Sequence, residues 1–114
     1  SIGHRDTDNV VRDNEVINSK EVGILFRPER GKNYAPHRNA FENNRMVDCG
    51  SGDDSIAVDM QGEVEKINFI GNEIRDSRGK ANRVGVKIGE KVGEIHLESN
   101  TIQGVATEVL DRRE

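Results

Sequence analysis

Residues 69–74 read FIGNEI, and residues 97–102 read LESNTI. Both follow one pattern, apolar-x-x-Asn-x-apolar, and so do VRDNEV (11–16) and FENNRM (41–46). The four asparagines, Asn14, Asn44, Asn72 and Asn100, are separated by 30, 28 and 28 residues. A second block follows the first three asparagines: VGILF (22–26), IAVDM (56–60) and VGVKI (84–88). Each alternates with period two, the signature of a half-buried strand. A fixed period with strands and no helical spacing means stacked β-coils, each burying its apolar face only against its neighbours.

Stacking the repeats puts like on like. Val11, Phe41, Phe69 and Leu97 form one column, and Val16, Met46, Ile74 and Ile102 another. Val22, Ile56 and Val84 form a third, Ile24, Val58 and Val86 a fourth, and Ile2, Phe26, Met60 and Ile88 a fifth. The asparagines suit sharp bends, because Asn tolerates the left-handed region and its amide can bond along the stack. The expected fold is all-β, a right-handed parallel β-helix of about four coils with an asparagine ladder.

Composition agrees with a thin core. The chain has 114 residues, with 32% hydrophobic and 33% charged residues and 12 glycines. That length allows one domain, residues 1–114. Ser1 and Ile2 read as the tail of a strand in a preceding coil, so the chain is expected to be a fragment or module of a longer β-helix. A net charge of −4 argues against a nucleic-acid partner. No apolar run approaches the length of a membrane span. The single Cys49 excludes an internal disulfide.

The ladder and the strand blocks resemble the pectin-lyase-like superfamily of parallel β-helices, over nearly the whole chain. The resemblance implies acidic polysaccharides as ligands and an extracellular or periplasmic location. A narrower similarity lies in Gly52-Asp53-Asp54-Ser55-Ile56-Ala57. It is similar to the polygalacturonase motif, in which two aspartates and a third from the preceding coil cleave a uronic-acid glycoside. By that resemblance Asp53 and Asp54 are the catalytic positions. The preceding coil offers SKEVG (19–23), with only Glu21 as an acid, and the following coil has no histidine before its strand. Asp53 and Asp54 are thus open to three readings: a catalytic pair, a calcium site with Asp48 and Asp59, or a solvated turn compensated by Lys20.

Six extra residues fall in RPERGKNYAPHRN (27–39). They gather Arg27, Arg30, Tyr34, His37 and Arg38, cations with an aromatic, which suit carboxylated sugars. The other reading is a solvated loop whose arginines pair with Glu29 and Glu42. Beside it, alternation predicts that Gly23, Ala57 and Gly85 stack as a smooth outer strip, flanked by Leu25, Asp59 and Lys87, which suits either a shallow groove for an extended sugar chain or a sheet face covered by a loop or a neighbouring subunit. A lyase on such a surface would need a base, with Arg38 or Lys87 available. No cofactor is required, and calcium is the one ion considered. His4, His37 and His96 share no metal-ligand spacing. Three functions follow: a β-helix module binding an acidic polysaccharide, a lyase or hydrolase on uronic-acid polymers, and a self-assembling structural solenoid. The N-terminal edge, with Val11, Val16, Val22 and Ile24, is expected to self-associate or to meet neighbouring coils.

Overall fold

A computed structural model of the protein describes residues 1–79 and 82–113. Twelve short strands and one 3-10 turn at Lys32–Tyr34 make up its regular structure. The chain climbs through four strand levels: β1 (Val10–Arg12), β2 (Glu15–Ile17) and β3 (Ile24–Phe26), then β4 (Ala40–Glu42), β5 (Arg45–Val47) and β6 (Ile56–Met60). Above them lie β7 (Ile67–Ile70), β8 (Glu73–Arg75) and β9 (Val84–Ile88), then β10 (Ile95–Glu98), β11 (Thr101–Gln103) and β12 (Thr107–Asp111).

Equivalent strands pair in parallel, giving three four-stranded sheets, β1-β4-β7-β10, β2-β5-β8-β11 and β3-β6-β9-β12. This is an all-β parallel solenoid of about three turns. It falls short of four coils because four strand levels are joined by three full circuits.

The register is the one the repeats dictate. Val11 pairs with Phe41, Phe41 with Phe69 and Phe69 with Leu97. Val16, Met46, Ile74 and Ile102 follow the same rule. Ile24, Val58 and Val86 are in register, as are Phe26, Met60 and Ile88, with Ile2 bridged to Phe26. Val22 lies outside β3, while Ile56 and Val84 pair as expected. Phe26, Phe41, Phe69, Met46, Met60 and Ile74 are at most 1% exposed. Burying each such side chain contributes roughly 2–3 kcal/mol. Phe26 meets Phe41 edge-on at 5.3 Å between ring centroids, and Phe41 lies 6.2 Å from Phe69.

β12 was not expected from the sequence. Its TEVLD carries only two apolar residues, yet Val109 registers on Val86 and Asp111 on Ile88. The corner before it, residues 104–106, is shorter than residues 76–83 one level below, which removes the spacing that marks the repeat.

Two details of the expected surface are corrected. The strip Gly23, Ala57 and Gly85 is not an outer face: Ala57 is 7% exposed and Gly85 is buried. A Cβ on Gly23 would meet Met46 Cγ at 3.0 Å and Cys49 Sγ at 3.3 Å, and one on Gly85 would meet Ile102 Cγ2 at 2.7 Å. These small residues let the third sheet approach the second closely, so strict alternation fails at that corner. The left-handed bend also sits one residue earlier than the ladder. Asp13, Asn43, Gly71 and Ser99 have φ of 57°, 56°, 67° and 55°. Asn14, Asn44, Asn72 and Asn100 serve instead as links between levels.

Candidate functional site

Three corners separate the three sheets, and each handles its polar groups differently. The first holds the ladder. Asn44 Oδ1 accepts from Asn14 N–H at 3.0 Å and from Asn14 Nδ2 at 3.1 Å. Asn72 Oδ1 accepts from the same two donors of Asn44, at 2.8 and 3.1 Å, and Asn100 Oδ1 from those of Asn72, at 2.8 and 3.2 Å. Each upper amide also donates back to the level below, Asn44 to Val11 O, Asn72 to Phe41 O and Asn100 to Phe69 O. Asn44 is 3% exposed and Asn72 is 1% exposed. The buried amides Asn44 and Asn72 are satisfied by their neighbouring levels and offer nothing to a ligand.

The second corner carries Asp53 and Asp54. Both are exposed in a turn before β6. Asp53 O accepts from Asn82 N–H at 2.8 Å. Neither carboxylate forms an ion pair among the described residues, so Lys20 does not compensate them. The turn is fastened from the next level by two arginines. Arg83 donates to Gly79 O, Gly52 O and Ser55 Oγ at 2.9, 2.7 and 2.9 Å. Arg78 donates to Gly50 O at 2.6 Å and Cys49 O at 3.1 Å.

Asp76 joins both, 2.7 Å from Arg78 and 3.7 Å from Arg83. Burial acts to raise its carboxyl pKa, but hydrogen bonds from Arg78 outweigh that and hold it below the usual range. Burial pushes the Cys49 thiol up. No group of three or more His, Cys, Asp or Glu among the described residues is arranged to hold a metal ion.

The third corner stacks residues 27–39 over 61–66, 89–94 and the Arg112–Arg113 segment. Gln61 N–H bonds Phe26 O at 3.0 Å, Gly89 N–H bonds Met60 O at 2.9 Å and Arg112 N–H bonds Ile88 O at 2.9 Å. Here the basic loop divides in two. Arg27 pairs with Glu29 at 3.6 Å, Lys32 with Glu65 at 3.3 Å and Arg38 with Asp8 at 2.7 Å. Arg38 grips Asp8 with a second bond of 3.1 Å. That fork keeps the Asp8 carboxyl below its ordinary value and the Arg38 guanidinium above its own. Such a guanidinium cannot serve as a base. His37 is also committed to the fold, donating from Nε2 to Lys32 O at 2.6 Å and accepting Glu65 N–H on Nδ1 at 3.2 Å. Glu42 takes no part in the loop's ion pairs.

Arg5 and Arg30 remain. Neither has an ion pair among the described residues, and both lie against Tyr34, 4.8 and 5.5 Å from its ring centre. His4 stacks on the same ring at 5.7 Å and 15°. The ring therefore holds cations and presents no open face for a sugar. Sequence reasoning missed His4 and Arg5. The slide that places Ile2 on Ile88 also places Arg5 on Lys91, a basic corner position, which was the available signal.

Asp59 and Lys87 are register neighbours on β6 and β9. They line a cleft of about 440 Å³ together with Gln61, Lys91 and Arg112. Asp59 is 7% exposed and accepts from Gln61 Nε2 at 2.8 Å. Lys87, Lys91 and Arg112 have no ion pair among the described residues. The cleft and the Tyr34 cluster share the third corner, where a Cβ on Gly62 would lie 2.9 Å from Pro28 Cα.

Asp53 and Asp54 lie at the other end of β6, whose five residues span roughly 13 Å. The acidic turn and the basic loop are therefore not brought together. No helix among the described residues is long and apolar enough to cross a membrane. Comparison with protein-family models, curated proteins and solved structures finds no match to this chain. What the geometry establishes is the architecture, a parallel β-solenoid.

Proposed function

We propose that the chain is a carbohydrate-binding module of the pectin-lyase-like, right-handed kind, which holds an acidic polysaccharide along its third corner. The observation that carries this reading is the pair Arg5 and Arg30, without an ion pair among the described residues and held beside Tyr34 while Arg27, Lys32 and Arg38 of the loop are paired. A guanidinium whose orientation is set by an aromatic ring loses little entropy when it forks onto a carboxylate. The second group of cations, Lys87, Lys91 and Arg112, lies further along the same corner, as an extended polyanion requires. A polysaccharide-binding role agrees with the extracellular or periplasmic setting that the resemblance implies.

This reading gives Asp53 and Asp54 no chemistry, because among the described residues no third acid or cation converges on them. Calorimetric titration with polygalacturonate, alginate and a neutral glucan tests it. Binding of the polyuronates alone, lost in Arg5→Ala/Arg30→Ala, is the expected result. Equal binding of the neutral glucan, or no effect of the double substitution, overturns it. Unsaturated products or new reducing ends would replace it with a lyase or a hydrolase.

A further inference from the structure

The ladder has a direction. At every level the lower asparagine donates and the upper one accepts. Its two outermost members are therefore left with opposite needs. Asn14 Oδ1 receives no protein donor, and Asn100 N–H reaches no protein acceptor, among the described residues. The first-level edge, β1 and β2, and the fourth-level edge, β10 and β11, are likewise unpaired on their outer sides.

We propose that these two edges are a matched interface, and that the fourth level of one copy stacks on the first level of a second copy in the register used inside the chain. One further level in that register would put Leu97 on Val11 and Ile102 on Val16, continuing both apolar columns. Both columns are only partly covered at the edges, where Val11, Val16, Leu97 and Ile102 are half-buried. Asn100 N–H and Nδ2 would donate to Asn14 Oδ1 of the second copy. Glu98 would face Arg12, an opposite-charge pair of exposed residues. Reversing one partner head to head would bring two first-level edges together with neither Glu98 nor the Asn100 donor at the contact, so the ladder polarity selects head-to-tail.

The third sheet joins differently. Ile2 already occupies the outer side of Phe26, through Ile2 N–H to Leu25 O at 2.7 Å and Arg27 N–H to Ile2 O at 2.8 Å. Phe26 and Asp111 belong to one register column, so Asp111 and Ile2 of the next copy compete for one place. Asp111–Arg113 must turn aside there. The contact surfaces are unlike each other, so the interface does not close at two copies and gives an open series.

Light scattering coupled to size exclusion, across a range of concentration and without polysaccharide, tests the proposal separately from sugar binding. A concentration-dependent series of masses is expected for the chain as it stands. Arg12→Glu should raise the concentration at which the series appears by about tenfold. Arg12→Glu combined with Glu98→Arg should restore it, a rescue that a loss of folding cannot mimic. A strictly monomeric chain, a species that stops at two copies, or a double variant no better than the single one would overturn the proposal.

Discussion

The asparagine corner and the basic corner are built on the same strands and treat polar groups in opposite ways. At the first corner every level repeats the same bend, and each buried amide is satisfied by the levels on either side. At the third corner the first level carries an inserted loop, and two guanidiniums there, Arg5 and Arg30, rest on its Tyr34 ring with no ion pair among the described residues. The lesson is that a solenoid separates stability from recognition by corner. Between its two ends, a ladder whose buried donors and acceptors are paired level to level has none to give a ligand. A corner free to lengthen can carry charge that the core does not need.

The sharpest break of this contrast is Asn72→Ala. It orphans Asn44 N–H and removes a donor from Phe41 O in a site that is 1% exposed. We expect a loss of roughly 3–4 kcal/mol by denaturant unfolding, since each buried unsatisfied group costs about 1–3 kcal/mol. Asn14→Ala, at the exposed end of the same ladder, should cost under about 1 kcal/mol. Equal losses at both positions would mean that the ladder does not depend on burial.

Asp76→Asn comes next, at about 2 kcal/mol, because it removes the carboxylate between Arg78 and Arg83 that fastens the second corner. Its folded pKa lies below the ordinary 3.8. The group therefore contributes stability above that value and loses it as pH falls through the folded one. The wild-type chain should weaken in that acid window, and Asp76→Asn should weaken less there, as followed by thermal unfolding against pH.

Arg5→Ala and Arg30→Ala should each weaken polyuronate binding about tenfold, or about 1.4 kcal/mol, while stability moves by less than about 0.5 kcal/mol. A large stability loss would make the Tyr34 cluster part of the fold. The smallest effect belongs to Asp53→Asn and Asp54→Asn, exposed and without an ion pair among the described residues. Both should leave unfolding and polyuronate titrations unchanged within about 0.5 kcal/mol. Loss of a sugar-cleaving activity in either variant would restore the catalytic reading.

Much of the fold was legible because its defining signal is repetition. Phe41 and Phe69 recur at the spacing that stacks them, and the same spacing places Asn44 under Asn72. Legibility ended where a level departed from its neighbours. β12 was missed because residues 104–106 shorten the corner and TEVLD is mostly polar. Asn39 was missed too. It is 1% exposed, accepts Asn9 N–H at 2.9 Å and donates to Asp6 O at 2.7 Å, but Ile67 and Ile95 follow it one and two levels up, so no column appears in the sequence.

The candidate site was harder to read. Arg27, His37 and Arg38 look as available in the sequence as Arg30. The partners that consume the latter two, Asp8, Lys32 and Glu65, are set by which turn lies above which. Arg5 was hidden for the same reason, being 29 residues from the ring it touches.

By itself the sequence determined the solenoid, its register and its ladder, because each coil must bury its apolar face against a copy of the same pattern. Only the tertiary structure decided which charges are spent and which are left. Ion pairs and cation–ring contacts form between turns of different length on adjacent levels, and their geometry depends on how each inserted loop folds back over the next level. It also decided the direction of the ladder. An amide can donate or accept equally well until its neighbours above and below are in place.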